Sequence, residues 1–420
     1  MVLSRRATLL GLAGAATLGR VRFALADAVT QKRFIVVLQR GAMDGMAALV
    51  PYGDANLNSL RPDLVPPAPG QPGGMFDLGG FYGLTPNFPN LAAMYQGGEL
   101  LPIHAVAGPY RTRSHFEAQD LLQLGTDETG ITSGWLNRAL AELPRRNGSS
   151  LMGLAAGIGT PLLLQGGIPI DSFAPVHLAT PSPDLAARIA ALNANDPLLS
   201  QAITDGMQSQ KFDNSVMSTA APTDETSSTS SPGPNIMSDD RARVAGDAPK
   251  TRGGFPALAT QIGQLLAADE GPRIAVFQLE GWDTHGNQVN GLKAPMTGLD
   301  QGLFNLKAAL GPAWAQTCII VMTEFGRTAA MNGTKGTDHG TAAAAFALGG
   351  TVVGGRVVST WPGLGTGQLF ENRDLAPTLD IRAVAKGALA AHLGLNDAAL
   401  ARVFPGSQDA TPLNGMIRAT

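Results

Sequence analysis

Three polar clusters in the C-terminal half of the chain carry the residue types that metal-assisted hydrolysis uses. They are Gly281-Trp282-Asp283-Thr284-His285-Gly286, Thr323-Glu324-Phe325-Gly326-Arg327-Thr328 and Gly336-Thr337-Asp338-His339-Gly340-Thr341. Together they offer three acids, two histidines and an arginine in glycine-framed backbone. Carboxylates and imidazoles are the ligands that zinc-like ions take, and glycines let backbone approach a ligand closely.

Each cluster has two readings. In extended chain, residues i and i+2 point the same way, so Asp283 and His285 either meet one ion or form a turn with a solvated imidazole. Asp338 and His339 are neighbours whose side chains diverge, so one of the two is expected at a metal and the other beside it. Glu324 directly follows an apolar run, where a carboxylate is costly unless it is paired or metal-bound. Its partner is then either an ion or Arg327. Earlier in the chain, Asp44 stands in Gly41-Ala42-Met43-Asp44-Gly45 as a metal ligand or a turn residue. Ser114 lies between Arg113 and His115, as a nucleophile or a capping serine. No G-x-S-x-G elbow surrounds it, so activation by a metal suits it better than a serine triad.

These residues need elements to position them. Continuous apolar runs at 34–38, 100–106, 273–279, 317–323 and 344–348 read as strands covered on both faces. Helical patterns fall between them at 89–94, 184–192, 197–208, 255–268, 298–310 and 375–393. The alternation predicts an α/β fold, a three-layer doubly wound and mostly parallel sheet. Ligands of such sheets bind beyond the carboxyl ends of the strands. Asp44, Arg113 with Ser114, Asp283 with His285, and Glu324 with Arg327 each follow one of these runs, so four strands are expected to deliver them to one edge. Residues 214–250 are rich in Ser, Thr, Pro and Asp, bury little, and read as an insertion within a single domain spanning 33–406.

The remaining features bound the class. Residues 1–26 read as a leader: paired Arg5 and Arg6, an apolar run too short to span a bilayer, and Ala24-Leu25-Ala26 as a cleavage site. The expectation is twin-arginine export, with the translocase as a transient partner and a periplasmic or secreted destination. The formal net charge is -3, and the leader holds four arginines and no acid, which leaves the rest near -7. Nothing basic enough for nucleic acid is present. No later run reads as a membrane span. The single cysteine, Cys318, lies in an apolar run and reads as a buried, inert thiol. His392 and His177 read as packed or surface residues, and His104 as a supporting one.

Six blocks carry a family resemblance: Arg40-Gly41-Ala42-Met43-Asp44-Gly45, Arg61-Pro62, Ser114-His115-Phe116-Glu117-Ala118-Gln119, and the three clusters above. In this order they resemble domain-of-unknown-function family 1501, from about Phe34 to Gly406. That family in turn resembles the alkaline phosphatase and sulfatase superfamily. The resemblance implies an alkaline-phosphatase-like fold and one or two divalent ions, zinc, calcium or manganese. Asp44, Asp283, His285, Glu324, Asp338 and His339 would supply metal ligands. Ser114 would be the nucleophile, and Arg113 with Arg40 or Arg327 would bind an anionic ester, small or polymeric. Phe325 departs from that pattern, in which a histidine follows the late acid. Two functions follow: an exported metal-dependent hydrolase of phosphate or sulfate esters, or a non-catalytic periplasmic binding or assembly protein that kept the fold.

Overall fold

The apolar run at the start of the domain becomes the central strand. In the computed structural model, which describes residues 31–144, 153–157, 159–173 and 254–418, strand β1 (Arg33–Gln39) is buried along its whole length. The leader, the expected helices at 184–192 and 197–208, His177 and the 214–250 insertion lie outside the described residues.

After β1 come α1 (Gly45–Ala48), β2 (Leu49–Val50), α2 (Leu57–Leu60), β3 (Phe76–Asp77), β4 (Gly83–Leu84), α3 (Pro89–Gln96) and β5 (Leu100–Ala107). Next are α4 (His115–Leu124), α5 (Trp135–Glu142), β6 (Gly153–Ala156), β7 (Asp171–Phe173), α6 (Gly254–Ala267) and β8 (Ile274–Leu279). The chain continues with α7 (Gln288–Leu310), β9 (Thr317–Thr323), β10 (Ala343–Leu348), β11 (Leu379–Asp380), α8 (Ile381–Leu393) and α9 (Asp397–Val403).

The main sheet has eight strands in the order β11-β5-β10-β9-β1-β8-β6-β7, and β2-β4-β3 make a small second sheet. β1 pairs in parallel with β8 and with β9, Val37 standing opposite both Phe277 and Val321. β10 is antiparallel to both β9 and β5. It departs from the otherwise parallel pattern because residues 324–342 return from β9 without a helix, and a connection lacking a crossover helix reverses the chain. Since β5 and β9 both oppose β10, strands β1, β5, β8 and β9 run the same way. Their carboxyl ends share one edge.

Alternation along β1 divides the core. Phe34, Val36 and Leu38 pack on one side with α5, α8 and α9, while Ile35 and Val37 pack on the other with α3, α6 and α7. This gives the three layers that the sequence predicts. Burying each large apolar side chain contributes about 1.5–3 kcal/mol, so these faces dominate the stability.

Two helix boundaries differ from expectation. α7 begins at Gln288, not near 298, and carries Pro295 inside it. α8 begins at Ile381, not near 375, because Asp380 caps it by accepting from Arg382 N at 2.8 Å. The residues before it instead extend the sheet, as Leu379 pairs with Val106. Cys318 is buried, and burial raises its thiol to about 12, which makes it the inert group expected. Among the described residues no helix is long and apolar enough to cross a membrane.

Candidate metal centre

The loop after β8 brings Asp283 and His285, the loop before β10 brings His339, and the first residue of α4 is His115. Their ligand atoms converge. His115 Nε2 and His339 Nε2 are 2.9 Å apart, and Asp283 Oδ1 lies 3.6 Å from the first and 3.4 Å from the second. His115, Asp283 and His339 together meet the geometry of a metal-holding group. His285 Nε2 borders the same point, 3.0 Å from both His339 Nε2 and Asp283 Oδ1. A tetrahedral ion with bonds of about 2.0–2.1 Å would set its ligands ~3.3 Å apart, so these spacings suit one small cation.

The protons point to the same conclusion. His115 Nδ1 lies 2.7 Å from Glu324 Oε1, and His339 Nδ1 lies 3.1 Å from the Arg113 carbonyl oxygen. Each Nδ1 therefore carries the proton and donates it, which leaves each Nε2 of a neutral ring as a bare lone pair. Two lone pairs and a carboxylate oxygen then face one another. Such an arrangement repels itself unless a cation or an additional proton stands among them. Burial, with the nearby positive charge of Arg327, holds the His339 imidazole below its ordinary value, which favours its neutral form.

Glu324 is the outer support of this set. Its Oε1 accepts from His115, from Gly41 N at 2.8 Å, from Ala42 N at 3.1 Å and from Gln119 Nε2 at 3.0 Å, and its Oε2 accepts from Thr323 Oγ1 at 2.9 Å. Burial opposes its ionisation, but the His115 and Gln119 bonds, with backbone N–H groups, hold its carboxyl below the usual range. The left-handed φ of Gly41 (115°) and Ala42 (55°) turns the chain so that successive N–H groups aim at one oxygen. His115 and Gln119 reach Glu324 together because residues i and i+4 share a helix face. Arg40 holds Gln119 in turn, through Nε at 3.0 Å and Nη2 at 2.6 Å.

Arg327 is fully buried. Its N–H groups go to Ala42 O (2.7 Å), Gly41 O (2.7 Å), Thr337 O (3.2 Å) and Asp283 Oδ1 (2.5 Å). Burial raises the cost of ionising Asp283, yet the Arg327 bond and charge outweigh it and keep this carboxyl lowered. Arg327 thus orients Asp283, and each of its three nitrogens is hydrogen-bonded within the protein. An isolated antiparallel bridge between Arg327 and His339 ties the second cluster to the third. Gly340 makes that bridge feasible, since a Cβ there would stand 2.3 Å from the Arg327 backbone.

The sequence-predicted residues therefore separate. Asp283, His285 and His339 are brought together. Asp338 lies outside them, its carboxylate 3.4 Å from His285 Nδ1 and 3.1 Å from Asn332 Nδ2. Glu324 lies behind His115, facing its Nδ1, and among the described residues makes no ion pair with Arg327. Arg113 offers its carbonyl to His339 while its guanidinium turns to Asp374, with Nε at 2.9 Å and Nη2 at 2.7 Å. Ser114 occupies the N-cap of α4, and its hydroxyl makes no hydrogen bond among the described residues. Asp44 is elsewhere: it accepts from Met46 N as the cap of α1, pairs with Arg61 at 2.7 Å and accepts from Gln288 at 2.6 Å. His104 lies within β5, its Nε2 at 2.9 Å from Leu49 O, stacked on Tyr82.

Sequence reasoning missed His115 as a member of this cluster. The signal was the His115–Gln119 spacing in the Ser114 block. Phe325 has a positive role: it packs against the rings of His115 and His339, centroids 4.9 Å and 5.2 Å away, and forms an apolar wall.

No curated protein matches the chain significantly. Two solved structures show a loose likeness. A protein in the alkaline phosphatase superfamily from Vibrio parahaemolyticus is 11% identical with a TM-score of 0.34, over 79% of this chain and 63% of that one. BT1596, a 2-O GAG sulfatase, is 10% identical with a TM-score of 0.27, over 76% of this chain and 64% of that one. The chain spans less than two thirds of the length of either. The family model for "Protein of unknown function (DUF1501)" matches residues 79–404, over three quarters of the sequence and all four converging side chains, so the chain belongs to the DUF1501 family.

Proposed function

We propose that the protein is an exported metal-dependent hydrolase of phosphate or sulfate esters, built on one metal ion. The observation that carries this reading is the inward convergence of His115, Asp283 and His339, with Nδ1 of both rings held by an oxygen acceptor. His285 is the fourth donor. Three imidazoles and one carboxylate suit zinc or manganese; calcium prefers an all-oxygen set. One ion fits better than two, because Asp44 is neutralised by Arg61 and Phe325 stands beside Glu324 where a further ligand would be needed.

A divalent ion in this place supplies Lewis acidity for an ester oxygen and an acidified water. The chain's own residues do the rest. Glu324 keeps His115 in the ligating tautomer and Arg327 fixes the Asp283 carboxylate, the outer support on which such sites depend. Ser114 precedes His115 in the chain, and its hydroxyl makes no hydrogen bond among the described residues, which supports it as the nucleophile in place of water.

Metal analysis of the purified protein, with turnover of phosphate monoesters, diesters and sulfate esters, tests the proposal. Bound metal with turnover lost in Asp283→Ala is the expected result. Bound metal without any turnover moves the reading to a binding or assembly protein, for which Phe325 beside the site is the supporting observation. Absence of both metal and turnover sinks the hydrolase.

A further inference from the structure

Two guanidiniums beside the metal centre have N–H groups to spare. Asp374 is wholly buried, and its two oxygens are divided between them. Oδ2 takes Arg113 Nε and Nη2, at 2.9 Å and 2.7 Å, and also accepts from Thr341 Oγ1 at 2.8 Å. Oδ1 takes Arg373 Nε at 2.8 Å. Both arginines are also fixed to His339. The Arg113 carbonyl receives its Nδ1, and Arg373 Nη2 donates to its backbone oxygen. Arg113 reaches this position in a left-handed conformation, φ 61°, which an L side chain adopts only when its surroundings hold it there.

The other cations of the site are spent. Arg327 is buried with every nitrogen bonded, and Arg40 is held by Gln119 and by Glu280 at 3.0 Å. Arg373 differs: its side chain is 46% exposed, and its Nη1 has no partner among the described residues. Arg113 Nη1 is likewise unpartnered there. The charge of Arg373 also reaches Asp338, whose carboxyl is held low by Asn332, His285 and Arg373. Asp338, His285 and Asp283 are the solvent-facing side of the centre, so Arg373 stands on the open rim.

The local charge explains when an anion would be accepted. Asp283, Glu324, Asp338, Glu371 and Asp374 face Arg113, Arg327 and Arg373. This leaves two negative charges, which repel an anion until one divalent ion cancels them.

We infer that Arg373 and Arg113, clasped by Asp374, form the oxyanion-binding half of the site, and that they hold a tetrahedral dianion, phosphate or sulfate, against the metal. This rests on the hydrolase reading and names the residues that would recognise its substrate. Guanidinium bonds to phosphate oxygens are charge-assisted and geometrically matched, which suits a group carrying spare N–H donors in a fixed plane.

The test is calorimetric. The full chain is loaded with zinc or manganese and titrated with inorganic phosphate, and separately with sulfate; the empty protein serves as reference. Phosphate should bind the loaded protein and not the empty one. Arg373→Gln should weaken phosphate binding to the metal-loaded protein by about tenfold or more, a loss larger than any change in its metal affinity, and Arg373→Lys should restore part of it. Glu371→Gln is a surface change that removes a competing negative charge from one N–H of Arg113 Nη2, and it should tighten phosphate binding several-fold. Phosphate affinity indifferent to both substitutions, with metal bound normally, overturns this inference and leaves the hydrolase reading standing. No metal uptake by the wild type overturns both. Tighter binding of sulfate than phosphate would assign the subsite to sulfate esters.

Discussion

Asp44 and Asp283 follow neighbouring parallel strands, each within a few residues of a glycine and each paired with an arginine, yet they end in opposite environments. Asp44 and Arg61 are 1% and 2% exposed at their side chains, and Arg61 gives its other N–H groups to Ala329 O and Thr328 O. Asp283 is 47% exposed, and the lone pairs of histidines face it. A single glutamine separates the two regions: Gln288 donates to Asp44 while its carbonyl accepts from Thr284 and Thr337, inside two of the polar clusters. The contrast teaches that an acid beyond a strand stays available to a ligand only where its surroundings leave it exposed beside unshared lone pairs. Around Asp44 the partners are all internal; around Asp283 the imidazole nitrogens and solvent share one open point.

The largest effect is expected on the closed side. Arg61→Ala leaves a buried carboxylate without its counter-charge and should destabilise the fold by about 3–5 kcal/mol, read by denaturant unfolding of the metal-free protein. Metal affinity per folded molecule should stay nearly unchanged. A large fall in affinity instead would show that the two regions are one site.

Acid should act on the closed side next. Burial lowers the His104 imidazole beside this pair to about 4, with the Leu49 bond and the Asp44 charge opposing and Arg61 reinforcing. His392, which donates to Arg33 O at 2.9 Å, is also lowered to about 4 by burial. An unfolded imidazole titrates near 6.5, so between about 6.5 and 4 the unfolded chain binds protons that the fold refuses. Stability should be full above pH 6.5 and fall through that window by roughly 3 kcal/mol per histidine. Thermal unfolding at pH 7, 5.5 and 4.5 measures this, and His392→Leu should flatten the curve; an unchanged slope refutes the assignment for that residue.

On the open side the effects are on metal. His115→Ala should reduce metal affinity about a hundredfold or more, with little change in the unfolding of the metal-free protein. Glu324→Gln keeps the shape but weakens the acceptor for His115, and should cost about 10–100-fold in metal affinity. Mass action gives a stability readout of the same site: metal at about a hundred times its dissociation constant should stabilise the wild type by ~2.7 kcal/mol and His115→Ala by no more than ~0.4 kcal/mol. Equal stabilisation of both would place the ion elsewhere.

Much of the fold could be read from the sequence because buried parallel strands are continuous apolar runs. Residues 317–323 match β9 at both ends, and the other long runs differ from their strands by a residue or so. β6 and β7 escaped because Gly153–Ala156 and Asp171–Phe173 are too short and too weakly apolar to announce themselves. In the site, the glycine-framed clusters marked the right loops. The ligand assignments within them were less legible, since ligation depends on which donors meet across 209 residues between His115 and Glu324, or 224 between His115 and His339.

The sequence by itself determined the α/β class, the edge of the sheet that carries the polar groups, and the residue types available there. Those follow from local properties: apolar runs, glycine turns and acids placed just beyond strands. Only the tertiary structure decided which acid is neutralised and which is left open. It gave Asp44 to Arg61, set Glu324 behind His115, brought in His115 from α4, and committed every nitrogen of Arg327 while leaving Arg373 Nη1 without a partner among the described residues. Those outcomes depend on hydrogen-bond partners from distant strands, and a carboxylate's role is set by its partners more than by its position in the chain.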